Sequence, residues 1–380
     1  MNVYFDNAAT SPLRPEVIQS MHEVMQGCFG NPSSTHGFGR TAKTHIESAR
    51  KSIAAHFNAH PQEIVFTSGG TESNNMLLRA AVEDLGVQTI ISSKIEHHAV
   101  LHTLDHLAKK GIEILYVPIH ANGQICYTTL QEMLASCTTR VLVSLMHVNN
   151  EIGTVLDLPR VSKMCQEHEA LFHTDAVQGV GHFEIDLSAL PIDFLSAAAH
   201  KFHGPKGIGF SFVRRNTGIK PFILGGGQER GLRAGTESVH NIVGMAKALE
   251  LSYAHLAEES QQISVLKAYA QSAFQKHFEG VRFNGCCDQS TQSTYTLLNV
   301  NLPIQKDKSA LLDFHLDLNG IACSKGSACQ SGASTGSHVL NEILTEDQLK
   351  YPSLRFSFSI FNTQQEVDYL ISTMKKFITA

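Results

Sequence analysis

The chain has no uninterrupted apolar run approaching the roughly 20 residues that a membrane-spanning helix needs, so a membrane partner is not expected. Its beginning, Met1-Asn2-Val3-Tyr4-Phe5-Asp6, lacks the basic and apolar regions of a signal peptide, and the expected location is the cytoplasm. It has no block of like charges. A net charge of −5 with histidine neutral gives no footprint for a nucleic-acid groove, so no direct nucleic-acid partner is expected. No fixed-period repeat and no low-complexity tract occurs, which sets aside solenoids and tail-like proteins. No two cysteines have the two-residue spacing of a zinc knuckle. Eight cysteines in a large chain without a secretion signal weigh little toward disulfides.

What is present is the composition of a globular protein. With 380 residues, 42% hydrophobic and 17% charged, the chain can bury a full core and is expected to form two lobes. The 21 histidines are many, and only their place within a motif singles any of them out. Short buried runs read as strands at 64–67, 89–92, 112–117, 141–146, 171–173, 194–197 and 208–213. Helical spacing lies between several of them, at 71–82 and 96–109. Strands joined through helices imply crossover connections and a mostly parallel sheet covered on both faces. After Gly225-Gly226-Gly227 the pattern changes. A long helical stretch with a break runs from 239 to 276, followed by strand signals at 294–301 and 354–359 and helices at 308–317 and 364–377, the makings of a smaller α+β lobe. The first dozen residues are candidates to join it.

Four segments carry chemistry. In Ala199-His200-Lys201-Phe202-His203-Gly204-Pro205-Lys206, a lysine follows a strand directly, where open α/β sheets bind ligands. Lysine is the side chain that forms a Schiff base with pyridoxal 5'-phosphate (PLP). Position alone does not choose between Lys201 and Lys206. In His173-Thr174-Asp175-Ala176-Val177-Gln178, Asp175 at a strand end suits the carboxylate that keeps a pyridine nitrogen protonated, or serves as a helix N-cap. Gln178, one turn on, is placed to donate to a phenolic oxygen. In Thr67-Ser68-Gly69-Gly70-Thr71-Glu72, a strand runs through a glycine pair into a helix, and the free amides of a helix start with two hydroxyls make a phosphate cradle. The segment is neither a nucleotide P-loop nor a dinucleotide fingerprint. In Cys323-Ser324-Lys325-Gly326-Ser327-Ala328-Cys329-Gln330-Ser331-Gly332, continuing to Gly336, small residues without apolar anchors are expected to stay mobile and to leave Cys329 open to reaction.

Together these segments resemble the cysteine desulfurases of the iron–sulfur cluster assembly group, within the class V aminotransferases. The resemblance spans nearly the whole chain. It runs from Phe5-Asp6-Asn7-Ala8-Ala9-Thr10 and Gly30-Asn31-Pro32-Ser33-Ser34, through Glu96-His97-His98-Ala99-Val100 and His147-Val148-Asn149-Asn150-Glu151-Ile152-Gly153, to Arg230-Gly231-Leu232-Arg233-Ala234-Gly235-Thr236, Gly326-Ser327-Ala328-Cys329 and Arg355-Phe356-Ser357. It implies the aspartate-aminotransferase-like PLP fold type I, an α/β fold with a mostly parallel sheet. A large domain would cover residues 15–255, and a smaller α+β domain 1–14 and 256–380, carrying the loop 323–336.

It also implies a homodimer, L-cysteine as substrate, and a sulfur-acceptor protein, either a cluster scaffold or a tRNA-thiolating enzyme. By the same resemblance Lys201 looks like the Schiff-base lysine and Asp175 the pyridine-nitrogen partner, with Gln178 and Asn150 on the phenolic oxygen. His97 would stack on the ring and handle protons. Gly70, Thr71 and His200 would bind phosphate, and Thr236 would reach the phosphate of the other subunit's cofactor. Arg355 would pair with the substrate carboxylate, assisted by Asn31. The Cys329 thiolate would take the substrate sulfur as a persulfide and leave alanine. One departure stands out: where relatives often have a serine in the phosphate cup, this chain has Ala198. The competing readings are another PLP reaction on the same fold, such as an aminotransferase or selenocysteine lyase, and a non-enzymatic scaffold or metal-binding protein. Cys329 argues against plain transamination, and Lys201, Asp175 and His97 together argue against a scaffold. The adjacent His97 and His98 lack metal-ligand spacing.

Overall fold

A computed structural model describes residues 1–287, 289, 291–304, 306–325 and 336–379, so residues 326–335 of the loop expected to be mobile, Cys329 among them, lie outside the described residues. Seven short strands form the main sheet. Their order is Ile64–Thr67, Gly209–Val213, Phe194–Ala198, Leu171–Asp175, Val141–Ser144, Thr89–Ser92 and Glu113–Tyr116. All pairs are parallel except those of Gly209–Val213, which runs antiparallel to both its neighbours. Reversing direction twice brings Ile64–Thr67 back into the common direction. Six strands, ending at Thr67, Ser92, Tyr116, Ser144, Asp175 and Ala198, therefore finish on one edge of the sheet, where an open α/β sheet binds its ligand.

The alternation of side chains along a strand divides the core. Phe66, Ile91, Val143, Phe172 and Leu195 point to one face with the helices Pro15–Gly27, Gly37–His56 and Val239–Ala254. Val65, Ile90, Leu142 and Phe194 point to the other, under Gly70–Glu83 and His98–Ala108. Both faces are covered, so the strands read as continuous apolar runs. Each buried side chain of this kind contributes roughly 1.5–3 kcal/mol. The long helical stretch breaks at His255, with φ −113° and ψ 12°, into Val239–Ala254 and Leu256–His277. The helices Pro15–Gly27, Gly37–His56, Tyr127–Ser136 and Leu158–Glu167 were not among the sequence expectations.

A second core surrounds an antiparallel sheet in which Leu297–Asn301 lies between Ser353–Ser357 and Arg282–Asn284. Val3 and Phe5 are buried in it beside Phe274, Phe356 and Leu370. The chain start is held there by Val3–Tyr4 pairing in parallel with Ile321–Ala322. From that anchor, residues 6–11 run back to the edge of the main sheet, where the main-chain oxygen of His200 accepts from the Ser11 amide at 2.8 Å. Among the described residues no helix is long and apolar enough to cross a membrane.

Candidate active site

A cavity of about 350 Å³ opens at the strand ends, and Gly70, Thr71, His97, Asn150, Asp175, Gln178, His200, Lys201 and Arg355 all line it. Nine side chains or backbones singled out in the sequence thus meet in one place. Lys206, the rival lysine, is exposed and is not on its wall. Asn31 and Thr236 are exposed and lie off the wall in the single chain. Asn31 accepts from the Ser33 amide at 2.9 Å through its Oδ1.

Each wall residue is delivered by a strand end. Phe194–Ala198 runs into a single helical turn, Ala199–Lys201. There the Lys201 ammonium donates to the main-chain oxygens of Ala8 at 2.5 Å and Ala9 at 2.8 Å. Gln178 donates to the same Ala8 oxygen at 2.8 Å. Asp175 closes its strand at only 5% exposure. One carboxylate oxygen accepts from the Asn74 side-chain amide at 2.6 Å and the other from the Val177 amide at 3.0 Å. Two such donors fix the direction of a buried carboxylate. Asn74 was not singled out in the sequence. Its position, one turn into the helix after the glycine pair, was the available signal.

The phosphate-cradle geometry comes from Gly69 and Gly70. Gly69 has φ 151° and ψ −175°, a conformation essentially reserved for glycine. At Gly70 an added Cβ would come within 2.6 Å of the Val177 methyl and 3.8 Å of the Ala198 Cβ. The helix Gly70–Glu83 begins with no side-chain cap at Gly69, so its first amides face the cavity edge as donors. Glu72 turns away, accepting from the Ser68 amide at 2.7 Å and pairing with Arg233 at 2.7 Å. That ion pair holds the Glu72 carboxyl below its ordinary value against its burial.

His97 caps the helix His98–Ala108, its Nδ1 accepting from the Ala99 amide at 3.1 Å. Its proton is therefore on Nε2. Burial, with Lys201, His338 and His102 behind it, lowers its pKa against the pull of Asp175. His200 is pushed down to about 4 by burial and by Lys201 and Lys206, and its Nδ1 is buried without a partner. Arg355, 1% exposed, donates to the Asn150 main-chain oxygen at 2.8 Å, to Asp6 at 2.8 Å and to the Ser324 hydroxyl at 3.0 Å, with its Nε unpartnered.

The cavity also holds two residues the sequence did not single out, Glu151 and His338. Glu151 is fully buried and accepts a short hydrogen bond from the Ser337 hydroxyl. Both flanks of the segment 326–335 thus end on the cavity wall, Ser324 at Arg355 and Ser337 at Glu151.

Buried polar atoms left over on this wall, His200 Nδ1, Asn74 Oδ1 and Arg355 Nε, mark a site built for a polar ligand. An amine, a buried carboxylate and a helix start with a hydroxyl are the donor set for a PLP-sized group, and the chain's residues fit one.

A family model described as "Aminotransferase class-V" matches residues 3–370. A cysteine desulfurase IscS of Dictyoglomus turgidum is 41% identical over 378 residues, covering 99% of this chain and 94% of the relative. A putative cysteine desulfurase IscS 1 of Bacillus subtilis is 40% identical, covering 96% and 95%. Among solved structures, a NifS-like protein superposes with a TM-score of 0.91 at 34% identity over the full length of both chains. SspA in complex with cysteine superposes with a TM-score of 0.80 at 34% identity, covering 95% of this chain and all of SspA.

Proposed function

The chain belongs to the class-V aminotransferases and is a cysteine desulfurase among them, and from that premise we propose how its cavity removes sulfur from L-cysteine. Pyridoxal phosphate supplies, when bound, an aldehyde for an amine to hold and a ring that accepts electrons from the substrate Cα. Lys201 is the amine that holds it and the base for the Cα proton. Asp175, steadied by Asn74 and the Val177 amide, keeps the pyridine nitrogen protonated. The first amides of the helix at Gly70 and the Thr71 hydroxyl take the phosphate, with His200 beside them. Without a hydroxyl at Ala198, the cup forgoes one charge-assisted hydrogen bond worth about 1.5–3 kcal/mol. Gln178 and Asn150 serve the phenolic oxygen. His97, fixed by the Ala99 amide, offers an Nε2–H donor to the cavity. Arg355 takes the substrate carboxylate, with Asn31 assisting, and Asp6 and Ser324 hold its guanidinium in place meanwhile.

The nucleophile is Cys329. Five residues of chain span at most about 18 Å, so from Ser324, itself bonded to Arg355, that thiol has the cavity within reach. It takes the sulfur as a persulfide, alanine leaves, and a sulfur-acceptor protein, either a cluster scaffold or a tRNA-thiolating enzyme, receives the sulfur. Two copies complete the site, with Thr236 reaching the partner's phosphate. Exposure of Phe29, Phe38 and Leu224, the last at 84%, supports a face that a second copy covers. We assign residues 15–255 to a large domain and 1–14 with 256–380 to a small one.

The observation that carries the reading is Lys201, Asp175 and the open helix start on one cavity whose wall also anchors both flanks of the Cys329 segment. The test is alanine and sulfide release from cysteine by the PLP-loaded protein. Lys201→Ala and Cys329→Ser should both lose it. A Cys329→Ser protein that still turns over removes the thiol step, and a keto acid in place of alanine selects the aminotransferase reading.

A further inference from the structure

A lysine that both holds a cofactor and takes a proton changes its bonding in each turnover, so the main chain that carries it must stay fixed. Here that main chain is a single helical turn, Ala199–Lys201, too short to be stable through its own bonds. The Ala199 oxygen accepts from the Phe202 and Gly204 amides, at 3.1 and 2.9 Å. The His200 oxygen accepts from the Ser11 amide and hydroxyl, at 2.8 and 2.9 Å. The Lys201 oxygen faces a side chain instead, that of His182, whose Nε2 lies 3.1 Å away.

The tautomer of His182 follows from its two partners. A carbonyl only accepts, so Nε2 carries the proton. Burial lowers the pKa of the ring, which leaves it with that one proton and a bare Nδ1. Nδ1 lies 3.0 Å from the Tyr295 hydroxyl. Burial, with Glu259 and Tyr253 nearby, pushes that phenol up, so it keeps its proton and donates. The bonds form a directed chain from the Tyr295 hydroxyl to Nδ1, and from Nε2–H to the Lys201 carbonyl. Other histidines serve nearer neighbours: His173 bonds to Ser144 and Ser196 within the main sheet. His182 joins two cores. Tyr295 packs on the second core and meets the His182 ring edge-on, 5.8 Å between centroids, while Lys201 follows a strand of the main sheet. The segment 6–11, anchored in the second core, makes the same connection at the other end of the lysine through the Ala8 and Ala9 carbonyls.

A separate cavity of about 20 Å³ adjoins the chain of bonds, with Arg14, His182, Lys201, Glu259 and Tyr295 on its wall. It has room for one water. A side chain shorter than histidine would draw water in there rather than collapse the packing.

We propose that His182 is a positioning residue for Lys201, tying the main chain of the lysine to Tyr295 of the second core. The inference rests on the reading of Lys201 as the amine that holds pyridoxal phosphate.

Two amide side chains separate the roles of the two ring nitrogens. Glutamine reaches the place of Nε2 and still donates to the Lys201 oxygen. Asparagine reaches only the place of Nδ1, keeps an acceptor for Tyr295 and leaves the Lys201 oxygen unheld. The experiment follows the change in PLP absorbance as Lys201 of the apoprotein takes it up, beside kcat and KM for alanine formation by the loaded protein. His182→Asn should slow the uptake and lower kcat by about 10- to 100-fold, as a misplaced reacting group does. Its KM for cysteine should stay within about threefold, because the binding of substrate by Arg355 is untouched. His182→Gln and Tyr295→Phe both keep a donor on the Lys201 oxygen and should stay within about threefold of the wild type in uptake and kcat. Asparagine and glutamine variants that behave alike overturn the proposal, as does a loss confined to KM. Melting temperature identifies a His182→Asn protein that failed to fold. The wild type then decides, because ring-nitrogen NMR of the apoprotein must place the His182 proton on Nε2, and a proton on Nδ1 overturns the proposal. The parent reading fails differently: the wild type then shows no change in PLP absorbance, or the same change as Lys201→Ala, and the positioning role falls with it.

Discussion

Gly70→Ala sets two effects of opposite sign against each other. In an ordinary helix the change is favourable by roughly 0.5–1 kcal/mol, because alanine loses less backbone entropy. Gly70 begins the helix Gly70–Glu83, and its φ is not among the positive values, so the backbone itself accepts a side chain. The obstacle is packing: the new methyl would lie 2.6 Å from the Val177 Cγ2. Valine is stiff about χ1, and Val177 sits two residues from Asp175, so it has little freedom to move aside. Either the valine is pushed toward the cavity or the first turn of the helix retreats from it. Overpacking of this kind costs typically about 1–3 kcal/mol, which outweighs the gain in propensity. If the strain falls on the phosphate cradle, apparent PLP affinity weakens by about 5- to 150-fold. Titrating the apoprotein with PLP by absorbance reads this directly. Val177→Ala removes the obstructing methyl, so Gly70→Ala combined with Val177→Ala should bind PLP within about threefold of Val177→Ala alone, a coupling characteristic of side chains in contact. Normal PLP affinity in Gly70→Ala, or a double variant no better than the single, would refute the reasoning.

Two further outcomes follow from groups off the cavity wall. Arg50 and Glu229, both about 2% exposed, form a two-pronged ion pair at 2.7 and 2.9 Å. Glu229 also accepts from the Phe66 amide, while φ values of 46° and 57° bend the chain at Glu229 and Arg230. Arg50→Ala strands that carboxylate and should cost about 3–5 kcal/mol in urea unfolding, with much of it regained in Arg50→Met combined with Glu229→Gln; a loss under 1 kcal/mol contradicts the pair's role. Burial, then Asp6 and Asp313, pushes the Cys323 thiol up to about 12. Its thiolate fraction at pH 8 is then about three orders of magnitude below that of an ordinary thiol. Cys323 should resist iodoacetamide in the folded protein and react only as pH rises toward that value; mass spectrometry that finds it alkylated at pH 8 as fast as in the unfolded chain defeats the assignment.

The sequence by itself determined the strand ends and what stands on them. Buried runs such as Val141-Leu142-Val143-Ser144 and the glycine pair before Thr71 are local signals, set by side-chain period and backbone freedom within a few residues. Hence Lys201, Asp175 and Thr71 were readable as strand-end and helix-start residues. The helices Pro15–Gly27 and Gly37–His56 escaped notice, although a proline opens the first. Their faces acquire meaning only against the sheet and the helix Val239–Ala254 that they pack on.

Only the tertiary structure decided which lysine faces the cavity, because Lys201 and Lys206 share one loop and differ by what surrounds them. It alone brought the Ala8 and Ala9 carbonyls to Lys201 across more than 190 residues of chain, and Asp6 and Ser324 to Arg355. It also decided which ring nitrogen of His97 and of His338 a neighbour takes. Whether an imidazole donates or accepts depends on which nitrogen a neighbour has already taken, as the Ala99 amide does for His97 and the Glu96 carbonyl for His338. Such neighbours are chosen by packing between distant segments, and no local pattern in the chain encodes them.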